Sequence, residues 1–237
     1  MEIHAVISFL LSMDICYTGY RIYDASKDSS HLKGRGGYMT FYILLFDDFE
    51  SLDVFGPVEI FGRLEKGNIR YISMEGGKVT GIHGVEVYTD RAEKLPKGSV
   101  LLVPGGMGTR PLSQDEDFLK KLKDIADTAD YVLSVCTGSA LLAAAGLLEG
   151  VRATSNKFAF DWVTTTGKAL WVNRARWVHD GRYYTSSGVS AGIDMALGFV
   201  ADRLGRKAAE DNARRAEYIW NDSAEDDPFA DYYRKTE

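Results

Sequence analysis

Short, nearly unbroken apolar runs alternate along this chain with stretches whose apolar residues recur every three to four positions. Residues 41–46 (FYILLF), 100–103 (VLLV) and 131–135 (YVLSV) have strand length, and such runs suit parallel strands covered on both faces. Residues 69–74 read as a further strand. Between the strands, Leu52, Val54, Phe55, Val58, Ile60 and Phe61 predict a helix with Ser51 as N-cap. Pro57 would either kink that helix or, with Gly56 before it, open a new one. Phe118, Leu119, Leu122, Ile125, Ala126 and Ala129 make one stripe over residues 117–129. Residues 139–148 predict a helix closed by Glu149-Gly150. Ile193, Ala196, Leu197, Val200, Ala201 and Leu204 mark the last core helix.

Two turns break this alternation. Residues 79–89 form a hairpin around His83-Gly84, and residues 175–178 and 182–186 flank His179-Asp180-Gly181, where Asp-Gly favours an antiparallel turn. The reading is therefore an α/β domain over residues 39–220: a mostly parallel sheet, helices on both faces and a small antiparallel hairpin. Residues 1–38 differ. Their apolar stretch, 5–13, is too short for a membrane span, and Glu2 and His4 stand where a secretory signal would be basic. Residues 24–37 are polar and Gly-rich, and Met39 directly precedes a strand. The segment is expected to be disordered or a start-site artefact. Residues 221–237 form an acidic tail, in which Glu225-Asp226-Asp227 lack ligand spacing and are expected to be solvated.

Composition narrows the partners. The 237 residues carry a formal charge of −6 with no basic stripe, which argues against nucleic-acid binding. Cys16 and Cys136 lie far apart in unlike settings, as in a reduced, cytoplasmic protein. With four scattered His and neither CxxC nor HExxH, no metal site is expected.

The candidate chemistry sits where strands end, the place ligands gather in open α/β sheets. Asp53 follows the first strand, Gly105-Gly106 the VLLV strand, and Cys136 the 131–135 strand. A cysteine forced through a strand-to-helix turn is presented as in a nucleophile elbow, with Gly138 relieving the crowding as the helix begins. The helix amino terminus should lower its pKa. The N–H groups of Gly105, Gly106 and Thr137 could stabilise an oxyanion. Asp53 could hold a proton beside the sulfur, its own pKa raised by a neighbouring thiolate. Plainer readings exist for each: a small core cysteine, a turn, a carboxylate complementing the helix dipole, and hairpin histidines at 83 and 179.

Taken together, "FYILLFDDFESLDVFGPVEIF", "LLVPGGMGT", "SVCTGSALLAAAGLLEGVRATSN" and "TSSGVSAGIDMALGFV" resemble the ThiJ/PfpI superfamily, which has the class I glutamine amidotransferase-like fold, and within it the isonitrile hydratase-like branch. The resemblance implies a flavodoxin-like three-layer sandwich, usually a homodimer, without metal or organic cofactor. It implies Cys136 as nucleophile and Asp53 as its acid. Gly105, Gly106, Thr137, Gly138 and Asn156 would then surround a small-molecule substrate. The implied reaction hydrates an isocyanide to an N-substituted formamide. Glyoxalase- or deglycase-like action on 2-oxoaldehydes, or a non-catalytic redox sensor, would use the same cysteine. Thr137 and Asn156 stand where relatives with a Cys-His pair carry His, so peptide hydrolysis is not expected; Asn156 can orient a substrate or water but cannot act as a base. Candidate pocket walls are MGTRPLS after Gly106, NKFAFDW around Phe158, and residues 71–84.

Overall fold

The computed structural model describes residues 39–65 and 67–233; the extension 1–38, Cys16 included, lies outside the described residues. The chain begins in β1 (Met39–Leu44), near the middle of the main sheet, and continues through α1 (Ser51–Gly62), β2 (Gly67–Ser73), β3 (Gly77–Thr80) and β4 (Glu86–Arg91). It then passes to the other side of β1 through β5 (Ser99–Val103), α2 (Thr109–Leu112), α3 (Glu116–Ala126) and β6 (Tyr131–Ser134). Next come α4 (Gly138–Ala144), β7 (Arg152–Ala153), α5 (Phe160–Thr166), β8 (Leu170–Trp171), β9 (Trp177–Asp180) and β10 (Tyr183–Ser186). Helices α6 (Ala191–Leu204), α7 (Arg206–Arg215) and α8 (Phe229–Tyr232) follow.

The main sheet has the order β3-β4-β2-β1-β5-β6-β10-β9, and β7 and β8 pair separately. From β4 to β10 every neighbouring pair is parallel. The antiparallel pairs are the two outer ones, β3 with β4 and β9 with β10. Winding reverses between β1 and β5, and the strand ends at such a reversal leave a crevice. The flavodoxin-like sandwich expected from the sequence is therefore the observed fold.

The buried strands explain the layers. All five residues of β5 are buried, so both of its faces need cover. On one side Phe41 of β1 stacks on Phe61 of α1 with centroids 4.1 Å apart, and meets Phe199 of α6 edge-on at 6.1 Å. Phe118 of α3 meets Phe46, just beyond β1, edge-on at 6.4 Å. Asp115 caps α3, accepting from the Phe118 N–H at 3.0 Å.

Several local readings change. The N-cap of α1 is Glu50, and Ser51 is already helical. The helix continues through Pro57 instead of opening there. Helix α4 stops at Ala144, because Gly146, at φ 73°, turns the chain out of it. His179 and Asp180 belong to β9, and the turn falls on Gly181. The sequence reading stopped the core helices at residue 204, but α7 also packs inward through Ala209, Asn212 and Ala213. Asn212 Nδ2 donates to the Ile60 carbonyl at 2.7 Å.

The largest change is in the acidic tail. The Ala224 carbonyl accepts from the N–H groups of Arg176 and Trp177 at 2.8 and 3.2 Å, and the Asp227 N–H donates to the Arg174 carbonyl at 2.8 Å. Arg174 holds Asp226 at 3.0 Å and Asp231 at 2.9 Å. Asp227, expected in solvent, is 1% exposed. The segment is a strap, because arginines far away in sequence supply partners for its carboxylates.

Candidate active site

Cys136 sits between β6 and α4 with φ 56°, a left-handed conformation that a cysteine adopts only when its surroundings enforce it. The enforcement comes from both sides of its backbone. Its N–H donates to the Ser187 carbonyl at 3.1 Å. Its own carbonyl accepts from the hydroxyls of Ser155 at 2.8 Å and Ser139 at 3.2 Å. The sharp strand-to-helix turn read from the sequence is present, with its side chain buried.

Gly138 is what lets the elbow close. A Cβ there would lie 2.2 Å from the Val103 carbonyl oxygen and 2.8 Å from that of Pro104, both backbone atoms unable to step aside. Its N–H is spent on the Val135 carbonyl at 2.9 Å, so the residue is a packing requirement and not a substrate donor. Gly138→Ala is expected to destabilise the fold by about 3 kcal/mol, read as a lower urea midpoint.

Asp53, in the first turn of α1, is wholly buried. Its Oδ2 accepts from the Gly105 N–H at 2.8 Å, while Oδ1 makes no hydrogen bond of ordinary geometry. Gly105 is pinched between two site residues: a Cβ there would stand 2.6 Å from the Thr137 nitrogen and 2.8 Å from Asp53 Oδ2. The Gly106 N–H donates to Thr137 Oγ1 at 3.1 Å. Thr109 completes this corner, its hydroxyl donating to the Gly106 carbonyl at 2.7 Å. Gly105, Gly106 and Thr137 thus come together as expected, but their N–H groups have partners inside the protein. Those of Gly105 and Gly106 hold Asp53 and Thr137, and that of Thr137 points to the Cys136 sulfur.

Burial governs both titrating groups. It pushes the Asp53 carboxyl up to about 8, against the Gly105 N–H that pulls it down; the nearby Glu50 charge adds to the rise, and the Cys136 thiol opposes it. Burial also pushes the Cys136 thiol well above its ordinary value, and the Asp53 charge adds to this. The N–H groups of Thr137 and Val189 and the Asn156 amide work the other way. The expected lowering by a helix amino terminus is therefore corrected. Cys136 is only 7% exposed, and α4 has only seven residues. The raised carboxyl was foreseen, although burial is its main cause and a thiolate is not.

Asn156 has a fixed orientation. Its Oδ1 accepts from the Ala159 N–H at 3.0 Å, which leaves Nδ2 for the sulfur. His83 Nδ1 lies 3.6 Å from Glu50, and His179 stacks on Tyr184 with Nδ1 3.2 Å from Asp202. Neither hydrogen-bonds Cys136. Among the described residues no group of three or more His, Cys, Asp or Glu is placed to hold a metal, and no helix is long and apolar enough to cross a membrane.

A cavity of about 190 Å³ opens against Asn156 and Val189, two of the three donors to the sulfur, while Cys136 itself lies behind them and does not line it. Lys157 and Arg176 line it from the domain, and Asp227 and Phe229 line it from the strap. Of the walls read from the sequence, the segment around Phe158 contributes. The sequence reading missed Val189, at φ 41°, and the buried trio Lys157, Arg176 and Asp227. The run Asn156-Lys157-Phe158 hinted at one of these. Nothing local marked the other two.

The DJ-1/PfpI family model matches residues 39–202. Over 168 residues the chain is 38% identical to the isonitrile hydratase of Pseudomonas putida, covering 70% of this chain and 73% of that one. It is 33% identical to a deglycase of Thermococcus kodakarensis over 152 residues, 62% of this chain and 89% of the relative. A ThiJ/PfpI family protein from Pseudomonas syringae superposes with a TM-score of 0.69 at 30% identity, covering 82% of each chain.

Proposed function

The chain belongs to the DJ-1/PfpI family, and from that premise we propose that it is a cysteine-dependent enzyme without a cofactor that hydrates a small isocyanide to an N-substituted formamide. The single observation carrying this reading is the buried pairing of Cys136, at an enforced left-handed turn, with a protonated carboxyl at Asp53. A buried acid beside a nucleophile can give a proton and take it back without exchanging with solvent.

In the proposed reaction the Cys136 sulfur forms a bond to the terminal isocyanide carbon, and that carbon receives a proton through Asp53. The product is a thioimidate, R–N=CH–S–Cys136. Water then adds to the same carbon while the nitrogen gains a proton. Collapse of R–NH–CH(OH)–S–Cys136 breaks the C–S bond, releases R–NH–CHO and returns the proton to the thiol. One isocyanide and one water give one formamide. Asn156 and the N–H groups of Thr137 and Val189 steady the sulfur whenever it carries negative charge.

The test is direct: incubate the purified protein with an alkyl and a hydroxyalkyl isocyanide and follow the formyl proton by NMR. Catalytic formamide production is expected; its absence defeats the proposal. The likeness to a deglycase favours a second reading, in which the same thiol attacks a 2-oxoaldehyde. Turnover of methylglyoxal without glutathione, and not of the isocyanide, would select it. The homodimer and the cytoplasmic setting implied by the family resemblance belong to the same proposal.

A further inference from the structure

The strap brings a carboxylate into the wall of the cavity that Asn156 and Val189 line, and one of its oxygens has nothing to bind. Asp227 is 1% exposed, and its Oδ1 accepts from the Phe229 N–H at 3.1 Å. Oδ2 is buried and has no hydrogen-bond partner among the described residues. Two cations stand close without reaching it. Lys157 Nζ is 4.0 Å from Oδ2, but it already donates to Thr154 Oγ1 at 2.8 Å, the Ala175 carbonyl at 2.7 Å and the Ser155 carbonyl at 3.3 Å. An ammonium has three hydrogens, and these oxygens take them all. Arg176 turns Nε and one terminal nitrogen onto Asp194 Oδ2, at 2.7 and 2.5 Å, and its other terminal nitrogen lies 3.9 Å from Asp227 Oδ1. Oδ2 is thus neutralised by nearby charge while its lone pairs stay unused. A buried acceptor in that condition is costly unless something supplies a donor.

We propose that Asp227 Oδ2 is the specificity element of this cavity, accepting a hydrogen bond from a neutral donor, a hydroxyl or an amide N–H, on the end of the substrate remote from Cys136. The charge count selects a neutral group. Lys157 and Arg176 balance Asp194 and Asp227, so a cationic ligand would leave an unpaired buried charge, and an anionic one would face Oδ2 itself. The small volume selects a short substrate. A purely apolar electrophile would fill the space and leave Oδ2 unpaired, so discrimination should be large: sites built around a polar group reject partners that lack it. This inference rests on Cys136 being the reacting group, but not on which electrophile it attacks.

The test uses a matched pair of chloroacetamides, N-(2-hydroxyethyl) and N-(2-methoxyethyl), with adduct formation at Cys136 followed by intact-protein and peptide mass spectrometry. The sulfur displaces chloride from both, but only the first reagent can donate from its far end. In the wild type the hydroxyl reagent is expected to react at least about tenfold faster. Asp227→Asn keeps an oxygen for the Phe229 N–H and replaces Oδ2 with an NH₂ group. The preference should then fall to about twofold or less, with thermal melting confirming the fold. Equal rates in the wild type, an unchanged ratio in Asp227→Asn, or no adduct at Cys136 each overturn the proposal. Should the preference hold while neither an alkyl nor a hydroxyalkyl isocyanide is turned over, the hydration reading falls and the assignment of Asp227 stands.

Discussion

Cys136→Ala is expected to abolish isocyanide hydration, lowering the rate by at least about a thousandfold, while the melting temperature scarcely moves. Only a C–S bond carries the intermediate, and no second thiol lies among the described residues. The backbone argument adds a sharper expectation. At φ 56° both Cys and Ala meet the crowding of the left-handed region, which costs roughly 1–2 kcal/mol and which glycine avoids. Cys136→Gly should therefore be as inactive as Cys136→Ala and yet more stable, by about 1 kcal/mol in urea unfolding. If alanine proves the more stable, the turn is not held under strain. If either variant keeps its activity, the sulfur is not the nucleophile.

Asp53→Asn is expected to pull activity and stability in opposite directions. Activity should fall at least about a hundredfold, because an amide cannot relay the proton between sulfur and substrate. Stability should rise at neutral and alkaline pH. In the unfolded chain this carboxyl ionises near its ordinary value of 3.8, and in the fold near about 8. Between these limits the folded state holds the proton that the unfolded state has lost. The contribution of Asp53 is thus fully present below about pH 4 and is lost as the pH rises through 8. An asparagine has no charge to bury and can still accept from the Gly105 N–H. The gain should be on the order of 5 kcal/mol at pH 8, which raises the melting temperature by roughly 10 °C or more, and should vanish near pH 4. In the wild type, hydration should slow as the pH rises through about 8, where Asp53 loses the proton it supplies to the isocyanide carbon. A stability gain that is the same at pH 4 and pH 8 would defeat the assignment of a buried, protonated Asp53.

The features legible in the sequence have local causes. Residues 100–103 could only be a covered strand, and Cys136-Thr137-Gly138 after another strand could only be a sharp turn. The main sheet, both hairpins and the meeting of Asp53, Gly105 and Cys136 follow from such signals. Residues whose environment is set by distant partners were misread. The sequence of α7, RKAAEDNARR, looks like a solvated helix because its buried contacts are mostly alanine methyls, which give a weak apolar stripe. Asp227 looked solvated because Arg174 and Arg176 lie some fifty residues earlier. The Cys136 thiol was expected to be acidic on the strength of its helix, when burial and the Asp53 charge decide the matter. Likewise, the glycine N–H groups foreseen as substrate donors proved to hold Asp53 and Thr137 in place.

The strap also sets the order in which the protein becomes competent during synthesis. Asp53, Gly105 and Cys136 precede the segment 224–233 in the chain, and every strand of the sheet is made before it. As the chain leaves the ribosome, the amino-terminal parts can fold first. On the proposed reading, the nucleophile and its acid can therefore be assembled while one wall of the neighbouring cavity is still to come. In that interval the thiol lacks the surface that selects its reactant. If the strap selects the reactant as proposed, discrimination begins only when α8 docks, and the growing chain carries its reactivity before its selectivity.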